Sequence, residues 1–246
     1  MKRCAAVLAV LSLVASATPA GARERRVLVV SEARGFVHDS IPAAVAYLRE
    51  LGRRSRRYDV ATLRQGAAGL TPARLRRADA VVFANTSGEL PLPSRAALRR
   101  FVRAGGGLVG THSASDTFYS WPRFAPLLGA RFQRHGAPAE GRLLVEGPRH
   151  PATDGLPRAF RLTEEFYEFT SSPRARARVL LRLDPRSVGD ELRPDIPLVW
   201  CRREGSGRVF YDALGHFPRT WSDRRHRLIL AGGLRWALGL HPRSRC

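Results

Sequence analysis

Gly105-Gly106-Gly107-Leu108-Val109-Gly110-Thr111-His112-Ser113-Ala114-Ser115-Asp116-Thr117-Phe118-Tyr119 sets a helix stop, a buried strand and a polar loop end to end. The glycines stop a helix that runs from Ser94 through Val102. Leu108 to Thr111 is a short apolar run and reads as a strand buried on both faces. His112 to Thr117 then loads the carboxyl end of that strand with polar groups. In a parallel sheet covered by helices, ligands collect at that end.

Working outward, the same rhythm recurs. Arg26 to Ser31 is a β-branched strand, followed by a helix opening at Ser40-Ile41-Pro42 with serine as N-cap and proline in the first turn. Tyr58 to Leu63 is a second strand, Thr71-Pro72 caps a short helix, and Ala78 to Ala84 is a third strand. Strand and helix in alternation specify a mostly parallel sheet with right-handed crossovers, a three-layer α/β/α fold. The second half is less regular. Gly141–Val145, Val179–Leu183, Ile196–Cys201 and Gly207–Tyr211 read as strands, some of them antiparallel, and Asp223 to Leu238 is a closing helix.

Residues 1–22 carry a basic start, an apolar run from Ala5 to Ala17 and small residues at an Ala-x-Ala-like site. That is the pattern of a cleaved secretory signal peptide, with export to the periplasm or outside the cell as its consequence. The apolar run is short for a spanning helix, which needs about 20 residues, so no stable membrane insertion is expected after cleavage. The remainder, 26–240, suits one domain. The formal charge of +21 does not point to nucleic acid. Lys2 is the only lysine, and the arginines are scattered with no interleaved aromatic platform. Cys201 and Cys246 lie in the mature chain, and an oxidising compartment permits a bridge that their spacing alone does not argue for.

Three of the 7 histidines, His38, His112 and His216, follow expected strands and face one rim. Asp39, Asn85, Thr86 and Ser113 share it. Convergent polar groups at strand ends are what a site requires. Imidazole is a neutral metal ligand or a base near neutral pH. His38, His112 and His216, with a carboxylate such as Glu168, are therefore candidate ligands for a divalent metal. The other reading makes His112 a general base without metal. Glu164-Glu165-Phe166-Tyr167-Glu168, read as one strand, puts Glu164 and Glu168 on one face and Glu165 on the other, and leaves open which carboxylate reaches the rim. His150-Pro151 reads as a turn, and His135, His226 and His241 as surface residues.

Gly35–Pro42, Asn85–Leu90, Gly105–Tyr119, His150–Pro157 and Ala213–Asp223 resemble marker segments of the ThuA-like (trehalose-utilisation) family, and the resemblance runs from about Arg26 to Leu240. Val37 stands where many relatives carry a larger polar residue. The resemblance implies a flavodoxin-like fold similar to class I glutamine amidotransferases. Those enzymes carry a cysteine on a sharp turn after a strand. The matching turn, Gly110 to Ala114, has His112 at its centre, so glutaminase chemistry does not carry over. The resemblance also implies a small-molecule carbohydrate substrate of the trehalose or 3-keto-glycoside type. His112 is then the expected base and Glu168 or Asp116 the acid. His38, Asp39, Asn85, Thr86, Ser113 and Trp221 are the expected substrate contacts. The alternative is a non-catalytic carbohydrate-binding module on the same fold.

Overall fold

The computed structural model describes residues 23–147, 149–189, 194–241, 244 and 246; residues 1–22, read above as a signal peptide, lie outside them. Short runs of valine, alanine and phenylalanine become the central strands, because β-branched and apolar side chains pack well when both faces of a sheet are covered. In chain order the first half comprises strand β1 (Arg25–Val30), helix α1 (Ile41–Arg54), β2 (Tyr58–Thr62), α2 (Pro72–Leu75), β3 (Ala80–Ala84), α3 (Arg95–Arg103), β4 (Gly107–Thr111) and α4 (Phe124–Leu128). The second half comprises β5 (Phe132–His135), β6 (Ala139–Val145), β7 (Ala159–Glu164), β8 (Tyr167–Phe169), β9 (Arg178–Asp184), β10 (Ile196–Glu204), β11 (Gly207–Asp212) and α5 (Arg224–Ala237).

Nine strands form one sheet in the order β2-β1-β3-β4-β11-β10-β9-β6-β7, and β5 pairs with β8 in a separate ribbon. The first five strands of that order run parallel, the flavodoxin-like arrangement. The remaining four extend the sheet antiparallel. β11 is the pivot, because it is parallel to β4 on one side and antiparallel to β10 on the other. The carboxyl ends of β1, β3, β4 and β11 therefore open on one rim. Strands β5, β7 and β8 were not read from sequence. The Glu164–Glu168 run is not one strand either, since β7 ends at Glu164 and β8 begins at Tyr167.

Helix α1 is tied to α5 by Tyr47, whose hydroxyl donates to the carbonyl of Arg227 at 2.6 Å. Thr71 and Ser94 stand at the helix starts as read, and Asp223 proves to be the cap of α5, each accepting a backbone N–H of the first turn. Ser40 does not. Its side chain makes no cap bond, and its Oγ accepts the Asn85 amide at 2.8 Å instead. Cys201, fully buried in β10, is bridged to Cys246 with Cα atoms 5.7 Å apart, a spacing that disulfides ordinarily use. Among the described residues no helix is long and apolar enough to cross a membrane.

Helix α5 sits close to the chain at Pro151 because position 232 has no side chain. A Cβ on Gly232 would lie 2.0 Å from the Pro151 carbonyl oxygen, and a backbone group cannot swing aside. Gly232→Ala is expected to lower unfolding free energy by about 1–3 kcal/mol, as overpacking does. Urea unfolding reads this as a lower midpoint at constant slope. An unchanged midpoint would mean that α5 does not pack this closely.

Candidate functional site

His112 sits on a sharp turn directly after β4, with φ at +44°. A non-glycine residue rarely adopts that left-handed backbone, and it persists only where the surroundings enforce it. Gly110 makes room, since a Cβ there would meet Leu128 Cδ1 at 2.8 Å and Tyr211 at 3.2 Å. The Tyr211 hydroxyl donates to the His112 carbonyl and lies 2.8 Å from Ser115 Oγ. The elbow is thus clamped from β11.

The imidazole of His112 is completely buried. Its Nδ1 lies 3.0 Å from the Ala213 carbonyl, which accepts only, so Nδ1 carries the hydrogen and Nε2 turns a lone pair to the rim. Four side chains meet that lone pair. His38 Nε2 is 3.0 Å away, His216 Nδ1 3.3 Å, Tyr167 Oη 3.1 Å and Glu165 Oε2 3.6 Å. His216 Nδ1 is also 3.3 Å from Glu165 Oε2, and His38 Nδ1 is 3.3 Å from Ser113 Oγ. The other Glu165 oxygen, Oε1, lies 3.2 Å from His135 Nδ1, on a side chain 41% exposed.

One ligand atom from each of His38, His112, His216 and Glu165 lies within 4.8 Å of all the others. A tetrahedron with metal–nitrogen bonds of about 2.0–2.1 Å has edges of about 3.3–3.4 Å. Four of the six separations, 3.0, 3.3, 3.3 and 3.6 Å, bracket that value. The protonation states of His38 and His112 agree with a ligand set. Burial, and then the neighbouring His216, hold His38 down to about 4. Burial, and then His38, hold His112 well below the usual histidine range. Both are neutral at pH 7, as metal ligation requires. The Glu165 hydrogen bond raises His216. Burial pushes Glu165 up, but its bond to His216 and the surrounding imidazoles pull it below the usual carboxylate range.

A second layer holds these groups in place. Glu164, fully buried, accepts the backbone N–H of Gly215 at 3.2 Å and of His216 at 3.1 Å, and the Thr220 hydroxyl. Asn85 donates to Ser40 Oγ and to the Gly215 carbonyl at 2.9 Å, and accepts the Thr111 hydroxyl at 2.7 Å. His226 is buried, with Nε2 3.2 Å from Asp212 Oδ2 and Nδ1 3.1 Å from the Thr220 carbonyl. Burial opposes its charge, yet Asp212 raises it on balance.

The structure brings His38, His112 and His216 together, with Ser113 against His38. It does not bring Glu168. That carboxylate is buried on β8 and pairs with Arg134, while the break between β7 and β8 turns Glu165 inward. Asp116 takes the Tyr119 hydroxyl, away from the imidazoles. Asn85 spends its amide on bracing, and Thr86 is buried against Thr117 at 2.9 Å, so neither offers a free group to substrate. Trp221 is 3% exposed, with its Nε1 donating to the Gly215 carbonyl, and presents no face to a sugar. Asp39 is exposed beside the rim. His226 is a core residue, not a surface one. Glu165 is the carboxylate that the sequence left open beside Glu168, while Tyr167 and His135 were missed as contributors; for Tyr167 the sequence signal was the dense carboxylate–aromatic run Glu164–Glu168.

Three buried histidines are held low: His38 at about 4, His112 well below its usual range, and His150 at about 3 by burial and Arg178. Their stabilising effect is complete above the unfolded value near 6.5 and is lost as pH falls towards the folded values. His216 and His226 are raised, so they favour folding at low pH and add no acid loss. The metal-free protein should therefore lose stability below about pH 6.5, each low histidine adding up to about 1.4 kcal/mol per pH unit. His38→Gln should show a shallower decline in urea unfolding between pH 7 and 4.5. Equal slopes would contradict a neutral His38.

The family model described as ThuA, trehalose utilisation, matches residues 26–237. A ThuA-like protein from Bacteroides uniformis superposes with a TM-score of 0.75 at 22% identity, covering 91% of this chain and 95% of that one. A second ThuA-like protein, from Parabacteroides merdae, gives 0.72 at 19% identity, over 91% and 92%. A β-galactosidase from Bacillus circulans sp. alkalophilus shares the fold over 90% of this chain and 31% of its own, at 11% identity and a TM-score of 0.57. Among curated proteins none matches. With the family model spanning nearly all of the described sheet, and ThuA-like proteins superposing over most of their length, the chain belongs to the ThuA (trehalose utilisation) family on a class I glutamine amidotransferase-like fold.

Proposed function

We propose that this protein cleaves an oxidised glycoside of the 3-keto type, using a divalent metal centre held by His38, His112 and His216 with Glu165 at its edge. The observation that carries this reading is the spacing of the four ligand atoms, close to tetrahedral edges, around a lone pair that the Ala213 carbonyl fixes on His112. When bound, the ion would polarise the ketone of the substrate. The family name, trehalose utilisation, supports a sugar as the substrate class.

The chain's own groups divide the remaining work. A ketone at carbon 3 acidifies the hydrogen at carbon 2. Glu165 is the base for it, because its carboxylate is ionised, and its second oxygen faces His135 Nδ1 on a side chain that reaches solvent. As the C2–H electrons move into a C1–C2 double bond, the C1–O bond breaks and the departing oxygen takes a proton. Addition of water across that double bond completes a hydrolysis. The Tyr167 hydroxyl, kept protonated by burial, is a hydrogen-bond donor facing the same space. His112 is too enclosed to be the base, and Glu168 and Asp116 are committed elsewhere. Phe36, 67% exposed and edge-on to His38, and Phe217, edge-on to His216, offer apolar faces for a sugar ring. The site of action is the exported compartment that residues 1–22 imply, with the Cys201–Cys246 bridge in support.

Glu165→Gln is expected to lower turnover of a 3-keto-glycoside by about 10²–10⁴-fold, the worth of a general base. Glu168→Gln should leave turnover within a few-fold of the parent. Full activity in Glu165→Gln, or no cleavage of any 3-keto-glycoside by the parent protein, would overturn the reading.

A further inference from the structure

Away from the rim, a second chemical cluster is buried beneath α5. Cys201 on β10 is bridged to Cys246, and an imidazole nitrogen of His150 lies within 4.8 Å of both sulfurs. His150 is 1% exposed and packs near Trp236, with ring centroids 5.4 Å apart. Its Nδ1 accepts the Ala152 N–H at 3.1 Å, so in the neutral ring Nε2 carries the hydrogen. That Nε2 is buried with no hydrogen-bond partner among the described residues. Arg178 stands directly across from Cys201 in the β9–β10 register, its side chain on the same face of the sheet.

A buried N–H with no partner is costly, and a disulfide sulfur is a poor acceptor. A thiolate is a good one. The tautomer also argues against a metal at this cluster, because the nitrogen without a partner has a hydrogen where a ligand needs a lone pair. We propose that Cys201, Cys246 and His150 form a thiol–disulfide exchange site, in which His150 Nε2–H and Arg178 receive the Cys201 thiolate and the reacting partner is a dithiol reductant. The incoming thiolate attacks Cys246, the more exposed sulfur. A mixed disulfide forms on Cys246 and Cys201 leaves as thiolate. The second sulfur of the reductant then displaces the Cys246 thiolate. The bridge gains two electrons and the dithiol becomes a disulfide. Trp236 Nε1 still donates to the Ser244 carbonyl at 3.1 Å, which keeps Cys246 near Cys201 so that the bridge can re-form.

The test is the rate at which dithiothreitol reduces the native folded protein at pH 7, read by alkylation and mass. The parent protein should gain two alkylatable thiols while its circular dichroism stays native. His150→Leu should slow this by at least about tenfold, and His150→Gln, whose amide can both accept from Ala152 and donate to sulfur, should restore it. If His150→Leu does not fold, Arg178→Gln is expected to slow reduction in the same way. Reduction only on unfolding, or equal rates in the parent and in the variants that fold, would overturn the proposal.

Discussion

The left-handed backbone at His112 is the constraint on which the site depends. It costs on the order of 1–3 kcal/mol for a residue with a side chain. It is held because Gly110 leaves room for Tyr211 and Leu128, and because the Tyr211 hydroxyl grips the His112 carbonyl. The turn points the imidazole across the ends of β4 and β11 rather than along them. The Ala213 carbonyl, at the end of β11, then chooses the tautomer. An ordinary extended residue at this place would direct its side chain to one face of the sheet, and His38, His216 and Glu165 would have no common focus.

Buried carboxylates hold the other walls. Glu164 ties β7 to the loop carrying His216 through two backbone N–H groups, and Asp212 meets His226 beneath it. Each is the last residue of its strand and reaches beyond the sheet, Glu164 to the loop carrying His216 and Asp212 to helix α5. The antiparallel extension β10-β9-β6-β7 thus does more than widen the sheet. It delivers Glu164 and Glu165, adjacent in sequence, one to brace and one to face the imidazoles.

The parallel half of the fold was legible because buried strands and caps announce themselves locally, and the rule about strand ends was enough to find His38, His112 and His216. The rest depended on distinctions that residue type does not encode. Asn85 directly follows β3 and Trp221 lies in the turn before α5, both placed like binding residues, yet their polar atoms are spent on Ser40, Thr111 and Gly215. Glu165 and Glu168 were indistinguishable while the segment was read as one strand, since a break of two residues exchanges their faces. His226 was readable in principle. With Ile229, Leu230 and Gly233 it falls on the i, i+3, i+4, i+7 stripe that α5 buries.

The measurement closest to the central claim is cobalt binding to the chelator-treated protein, followed by visible absorption. The account expects one ion per chain, with the intense bands of a low-coordinate nitrogen and oxygen site, and loss of both in His112→Ala with the fold intact. Failure of the parent protein to bind cobalt, or binding that survives His112→Ala unchanged, would contradict it.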